Sequence, residues 1–230
     1  MNVLIVVAHP DDEVLGCGAL ASSLAEAGTP VRACILSGEA SARAGRPEDG
    51  ELTADTLRAQ EVLGLAPPFL GSFPNIALNT VAQLALVQFI EQAIRETQAT
   101  VLFTHHPSDL NDDHAHVARA CAAAARLWQR GAAVPPLDGL FHMETLSSTE
   151  WAPAHVALPF TPDTFAPVTE AHLARKLAAL ACYRGVMRPS PHPRSEESVL
   201  ALATLRGGQC GARWAEAFSS GFRRFVPAAP

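Results

Sequence analysis

Six apolar residues, Val3-Leu-Ile-Val-Val-Ala8, run straight into His9-Pro-Asp-Asp-Glu13 at the start of this chain. An unbroken apolar run, rather than an alternating one, reads as a strand buried on both faces, the parallel strand of an α/β sheet. The following Val14-Leu-Gly-Cys-Gly-Ala-Leu20 opens a helix, expected over 13–27 and ended by Gly28. Val31-Arg-Ala-Cys-Ile-Leu36 then reads as a second strand, which gives a βαβ unit of ordinary length. Three carboxyl groups and an imidazole therefore crowd the carboxyl end of the first strand, where open α/β sheets bind their ligands. Carboxylates packed so closely repel one another and desolvate poorly. The arrangement costs little only if a cation or a substrate dipole sits among them. A metal-dependent hydrolase is the first function to test.

The alternation of strand and helix continues along the chain. Residues 37–52, rich in Gly, Ser, Glu and Arg, read as a loop over the strand ends, where binding groups gather. A helix is expected over Thr53–Leu63, closed by Gly64, and a short strand near Pro68–Leu70. The amphipathic stretch Val81–Thr97 places Leu84, Val87, Ile90 and Ile94 on one side of a helix. Val101-Leu-Phe-Thr104 is another inner strand, followed by an alanine-rich helix from about Ala115 to Arg130 and a strand through Leu140–Glu144. Helices are expected at Glu170–Tyr183 and from Glu196 onward. The fold class is α/β: a Rossmann-like, predominantly parallel sheet with helices on both faces. One domain over residues 1–230 is the economical reading for this length, with 152–230 adding strands, helices and part of the pocket wall.

Composition removes several function classes. A chain that is 48% hydrophobic and 17% charged is not extensively disordered. A net charge of −6 with no basic cluster argues against a nucleic-acid partner. The acidic residues at 11–13 interrupt the apolar start before a membrane span could form, and no basic leader precedes them, so the expected location is cytoplasmic. The five cysteines (17, 34, 121, 182 and 210) form no CxxC pair, and neither a disulfide scaffold nor a cysteine zinc site is indicated. The single lysine, Lys176, reads as compositional bias without functional content.

A second polar cluster, His105-His-Pro-Ser-Asp-Leu-Asn-Asp-Asp-His-Ala-His116, follows the strand at 101–104. A parallel sheet would set it beside the first. Catalytic zinc takes three protein ligands and keeps one position for water. His9, Asp12 and His114 supply that set, with His105, His106 and His116 as rivals to His114. His114 and His116 stand two apart on a helix and point in different directions, so they do not share one metal. Asp11, left unligated beside the metal, could accept a proton from bound water. Asp12 is also a natural helix cap, and Glu13 either a first-turn charge or a support behind a ligand histidine. Asp113 either orients a ligand or caps its helix. Arg43 and Arg194 are the candidates for substrate contact, since a guanidinium forms paired bonds to hydroxyls, carboxylates or phosphates. No GxGxxG turn joins the first strand to its helix, which argues against a dinucleotide site.

The strand–HPDDE–helix segment resembles the signature of the PIG-L/LmbE family of zinc-dependent N-deacetylases. Asp109-Leu-Asn-Asp-Asp-His114 resembles the family's second motif. Similarity extends to 57–64, 141–151, 193–195 and 214–218, and so spans nearly the whole chain. The resemblance implies one catalytic Zn2+ on His9, Asp12 and His114, with other divalent transition metals admissible, and Asp11 as general base. It supports Arg43 as a substrate contact and implies a soluble N-acetylated sugar or glycoside as substrate. Many members carry a histidine where this chain has Asn111. Asn111 can donate a hydrogen bond to the reacting oxygen but cannot deliver a proton. Protonation of the leaving amine then falls to protonated Asp11, or to His116 or His106, and His116 also stands as a candidate for substrate contact. The competing readings are a non-catalytic metal-containing sugar-binding module and a related amidase acting on another N-acylated small molecule. Assembly into a homo-oligomer is left open, as are the sugar and the native metal.

Overall fold

The computed structural model describes residues 1–38, 49–153 and 158–225. Its strands are β1 (Val3–Val7), β2 (Val31–Ile35), β3 (Ala66–Leu70), β4 (Val101–His105), β5 (Gly139–Met143), β6 (Thr164–Pro167) and β7 (Ala215–Arg223). Its helices are α1 (Asp12–Glu26), α2 (Asp49–Leu63), α3 (Gln83–Thr97), α4 (Asp112–Ala124), α5 (Glu170–Cys182) and α6 (Glu196–Cys210). The strands form one sheet in the order β3-β2-β1-β4-β5-β7-β6. The first five run parallel, while β7 pairs antiparallel with both β5 and β6. This is an α/β architecture with a mostly parallel sheet.

The central strand shows why its sequence is apolar throughout. Val3, Ile5 and Val7 pack on one face with residues of α1, α2 and α5, whereas Leu4, Val6 and Ala8 pack on the other with α3 and α4. Side chains alternate across a strand, so a strand covered on both faces needs apolar residues at every position. The chain leaves β1 for β2 on one side and later returns to place β4 on the other. That reversal opens a crevice at the carboxyl ends of β1 and β4.

Several boundaries differ from the sequence reading. α2 begins at Asp49, inside the stretch expected to be loop. α4 begins at Asp112, because Asn111 caps it: the Asn111 side chain accepts the Asp113 N–H at 3.0 Å. It ends at Ala124, and Leu127–Arg130 is a separate 3-10 turn. Leu84, expected on the buried side of α3, is 64% exposed. The buried stripe is Leu86, Val87, Ile90, Ala93 and Ile94, and two helical positions, about 200°, separate Leu86 from Leu84.

Lys176 is not compositional noise. α1 is kinked at Cys17 (φ −152°, ψ 27°), which breaks its hydrogen-bond ladder. Glu216 of β7 accepts the N–H groups of Ala19 and Leu20, at 3.2 and 2.7 Å. Lys176 of α5 donates to the Leu15 carbonyl at 2.8 Å and to Glu216 at 2.6 Å. Among the described residues, no helix is long and apolar enough to cross a membrane.

Candidate metal centre

The chain turns sharply as it leaves β1. Asp11 holds a left-handed backbone (φ 104°, ψ −28°), a region that aspartate tolerates better than most residues yet still strained. Its carbonyl accepts the N–H groups of Val14 and Leu15, which starts α1. Its own N–H donates to Glu13 Oε2 at 3.1 Å. Glu13 Oε1 in turn accepts Tyr183 O–H at 2.5 Å and the Gln60 amide at 2.9 Å. The Glu13 carboxyl is completely buried, and burial, only partly offset by the Tyr183 bond, pushes its pKa up to about 8. Glu13 thus braces the turn at Asp11 through partners from α2 and the end of α5. Its sequence-level alternative, a support behind a ligand histidine, is not what these contacts show.

That turn sets Asp12 at the centre of three imidazoles. Asp12 Oδ2 lies 3.3 Å from His9 Nδ1, 3.2 Å from His114 Nε2 and 3.5 Å from His105 Nε2. His9 comes from the end of β1, His105 from the end of β4 and His114 from the first turn of α4. His9, Asp12 and His114 each offer one ligand atom, and the three atoms lie within 4.8 Å of one another. His105 plays another part. Its Nε2 accepts the Ala8 N–H at 2.9 Å, and its ring stacks under His114 at 3.7 Å between centroids. Burial first, and then His114, push its pKa down to about 3, so it stays a neutral floor.

Each of the two outer imidazoles has a carboxylate behind it. His9 Nε2 lies 3.0 Å from Asp113 Oδ2, and Asp113 is itself fixed by the N–H groups of Ile76 and Leu78. His114 Nδ1 lies 3.2 Å from Asp109 Oδ1. Asp109 accepts hydrogen bonds from the hydroxyls of Ser148 and Thr149. A carboxylate on the far nitrogen fixes the tautomer and aims the near nitrogen's lone pair, the usual support of a metal-ligating histidine. The electrostatics agree. Burial disfavours a charge on His114, yet Asp12 and Asp109 outweigh it and drive its pKa up to about 10. Burial likewise opposes ionisation of Asp12, but His114, aided by the contact with His9, holds its carboxyl well below the ordinary value. A well this negative suits a cation, and two imidazoles with one carboxylate form a donor set that zinc and other divalent transition metals accept.

The other sequence candidates fall in different places. Asp11 Oδ2 stands 3.2 Å from Arg194 Nη1, and Arg194 Nε donates to Ser147 Oγ at 2.6 Å. Asn111 uses its side-chain oxygen to cap α4, and its amide nitrogen meets no partner among the described residues. His116 is not brought to the cluster: its ring contacts the Asp112 carbonyl at 2.8 Å and Arg119 on its own helix. His106 packs edge-on against Phe160 and His142. Arg43 lies outside the described residues. The sequence reading missed Asp109, Ser148, Thr149, Gln60 and Tyr183. One signal was available: a ligand imidazole calls for a carboxylate at its second nitrogen, and the polar cluster held more carboxylates than ligand positions.

The chain is similar to several known proteins. Residues 4–125 match the family profile described as PIG-L, GlcNAc-PI de-N-acetylase. The chain is 30% identical over 183 residues to the uncharacterized deacetylase YaiS of Escherichia coli strain K12, covering 78% of this chain and 88% of that protein. The conserved protein TT1542 from Thermus thermophilus superposes with a TM-score of 0.78 at 26% identity, over 100% of this chain and 99% of the other. The N,N'-diacetylchitobiose deacetylase of Pyrococcus horikoshii superposes with a TM-score of 0.75 at 15% identity, over 95% and 83% of the two chains.

Proposed function

The chain belongs to the PIG-L family of de-N-acetylases, and from that premise we propose that it hydrolyses the acetamide of an N-acetylamino sugar derivative, with one zinc ion on His9, Asp12 and His114. The observation that carries the reading is the convergence of these three donor atoms, with Asp11, next in sequence to Asp12, held in a strained left-handed backbone. A structural zinc site has no use for an extra carboxylate held at its edge against backbone strain. Bound zinc would supply Lewis acidity to the water and to the acetamido oxygen. Asp113 and Asp109 keep the His9 and His114 rings in one tautomer and orientation. Asp11 takes the proton that the attacking water gives up. The water oxygen bonds to the acetyl carbon, the C–N bond breaks, and the nitrogen leaves as the amine with the proton that Asp11 returns. Acetate is the other product. Arg194 fixes the orientation of the Asp11 carboxylate from the side of the α5–α6 loop.

An amino-sugar substrate is supported by the family and by the diacetylated disaccharide named for the Pyrococcus enzyme. In this reading the Asn111 amide steadies the reacting oxygen and Arg43 contacts the sugar. The test is a mass-spectrometric screen of zinc-loaded protein against N-acetylated mono- and disaccharides, sugar–thiol conjugates and nucleotide sugars. Loss of one acetyl group, abolished in Asp11→Asn, is the expected result. That variant keeps the size of the side chain and removes the base, so turnover should drop at least about a hundredfold with the metal retained. Full metal loading with no acetate released from any compound would reject the enzyme reading in favour of a sugar-binding module.

A further inference from the structure

A second group of cations lies one side chain away from Asp11. The loop between α5 and α6 bounds a cleft of about 260 Å3, lined by Ser147, Gly185, Val186, Arg188, His192 and Arg194. Its walls are held in place. Tyr183 and Val186 root one end of the loop in the core under β1, and Ser195 caps α6 at the other. Across the loop the Arg188 N–H donates to the Arg194 carbonyl at 3.1 Å. The Arg194 N–H donates to His192 Nδ1 at 3.0 Å, which places the imidazole proton on Nε2. Ser147, which accepts from Arg194, is itself in the left-handed region at φ 70°.

The chemistry of these walls is one-sided. Arg188, His192 and Arg194 offer N–H donors, and Ser147 adds a hydroxyl. Two of the nearby carboxylates are already engaged: Asp11 by Arg194, and Glu150 by the N–H groups of Ser147 and Ser148. Arg184, four residues before Arg188, meets Glu51 and Asp55. Among the described residues the bond given for Arg188 is that of its backbone N–H, and Glu196 and Glu197 line the groove on its other side. A neutral sugar presents donors as well as acceptors, and the charged side chains lining this cleft offer donors only. An anion needs donors alone.

We propose that this cleft receives an anionic group carried by the substrate, a carboxylate or a phosphate ester, and that Arg188 is the residue that selects for it. Arg194 then serves two groups, the substrate anion on one side and Asp11 on the other, so the charged end of the substrate fixes the acetamide with respect to the base. The inference rests on the deacetylase reading of the neighbouring site and narrows its substrate to charged amino sugars.

The experiment measures binding of four sugars to the zinc-loaded full chain by ligand-observed NMR in the cold. The sugars are N-acetylglucosamine, its 1-phosphate, its 6-phosphate and the corresponding 6-carboxylate. Acetate, if formed, is read in the same tube from its methyl signal. At least one charged sugar should bind about tenfold or more tightly than the neutral one. In Arg188→Gln that ratio should collapse toward one, and Arg188→Lys should keep part of it. Arg188 is exposed and held only through its backbone, so both variants will fold. A preference for the phosphates alone assigns a phosphate ester, and an equal preference for the carboxylate assigns general anion recognition. Equal affinity for all four sugars, or a preference that survives Arg188→Gln intact, would overturn the subsite while leaving acetate release to stand. Charge-dependent binding lost in Arg188→Gln, with no acetate from any sugar, supports the subsite and counts against the deacetylase reading alone.

Discussion

Replacing Lys176 with methionine tests whether the kink in α1 is held by the buried pair described above. Methionine matches the length and apolar stem of lysine, so the change removes a charge and leaves little void. Two groups lose a partner. The Leu15 carbonyl, left out of the helix ladder at the kink, loses its only donor from α5. Glu216 becomes a buried carboxylate without its counter-ion, with a side chain only 5% exposed. Breaking a buried pair from one side typically costs about 3–5 kcal/mol. Glu216 keeps the N–H groups of Ala19 and Leu20, which moderates the loss, while the orphaned carbonyl adds about 1 kcal/mol. The net expectation is a loss of about 3–4 kcal/mol.

Urea unfolding of wild type and variant at neutral pH reads this difference. In a chain of this size the thermal midpoint should fall by roughly 6–16 °C. The double variant Lys176→Met/Glu216→Gln then apportions the cost. A neutral amide oxygen still accepts one of the two N–H groups without an unpaired buried charge, so the double variant should recover about 1–2 kcal/mol. A loss under about 1 kcal/mol in the single variant would refute the reasoning, because it would mean that water or relaxation replaces the lysine at no cost. A double variant no more stable than the single one would show that the charge on Glu216 is not what makes the loss large.

Three further outcomes follow from the site. Tyr183→Phe removes the 2.5 Å bond to Glu13 and should cost about 1–2 kcal/mol of stability. It should also lower kcat with zinc content unchanged, since the strained turn at Asp11 hangs on Glu13; unaltered kcat in the folded variant would remove Glu13 from that role. Asp113→Asn and Asp109→Asn should each weaken metal binding about 10–100-fold in a chelator competition, and unchanged affinity would show that the carboxylates do not aim the ligand rings. His142, whose pKa burial and then His106 push down to about 4, gives an acid-side test. Between pH 6.5 and 4 the unfolded imidazole binds a proton that the folded one refuses, so stability present above pH 6.5 is lost on acidification, by at most about 3 kcal/mol. His142→Gln should flatten that part of the stability profile measured by urea titration, and an unchanged slope would exclude His142 as its source.

What could be read from the sequence was local, and what could not was carried by contacts between distant segments. The strand at Val3–Val7 was legible because burial on both faces leaves a continuous apolar run, and the carboxylates of residues 11–13 stood out against it. The meeting of His9 and Asp12 with His114 was legible from the rule that parallel strands deliver their loops to one edge. Nothing local distinguishes Asp109, which lies behind His114, from Asp112, which stands on the exposed side of α4. That choice depends on Ser148 and Thr149, some forty residues later, which hold Asp109 in place. Glu13 illustrates the same limit more sharply. Its position predicts a favourable charge at a helix start, but complete burial against Tyr183 and Gln60 raises its pKa and turns it into a brace for Asp11. Lys176 looks like chance in a chain rich in arginine, yet it occupies a place where a carbonyl and a carboxylate must be met together inside the core. A planar guanidinium spreads its donors over a wider fork than a compact ammonium does. The one lysine therefore stands where a small, rotatable cation fits the kink, and the substitution series at 176 tests that by comparing methionine with arginine. Arginine should fold less stably than lysine despite its retained charge, and equal stability would make the residue's identity at 176 incidental.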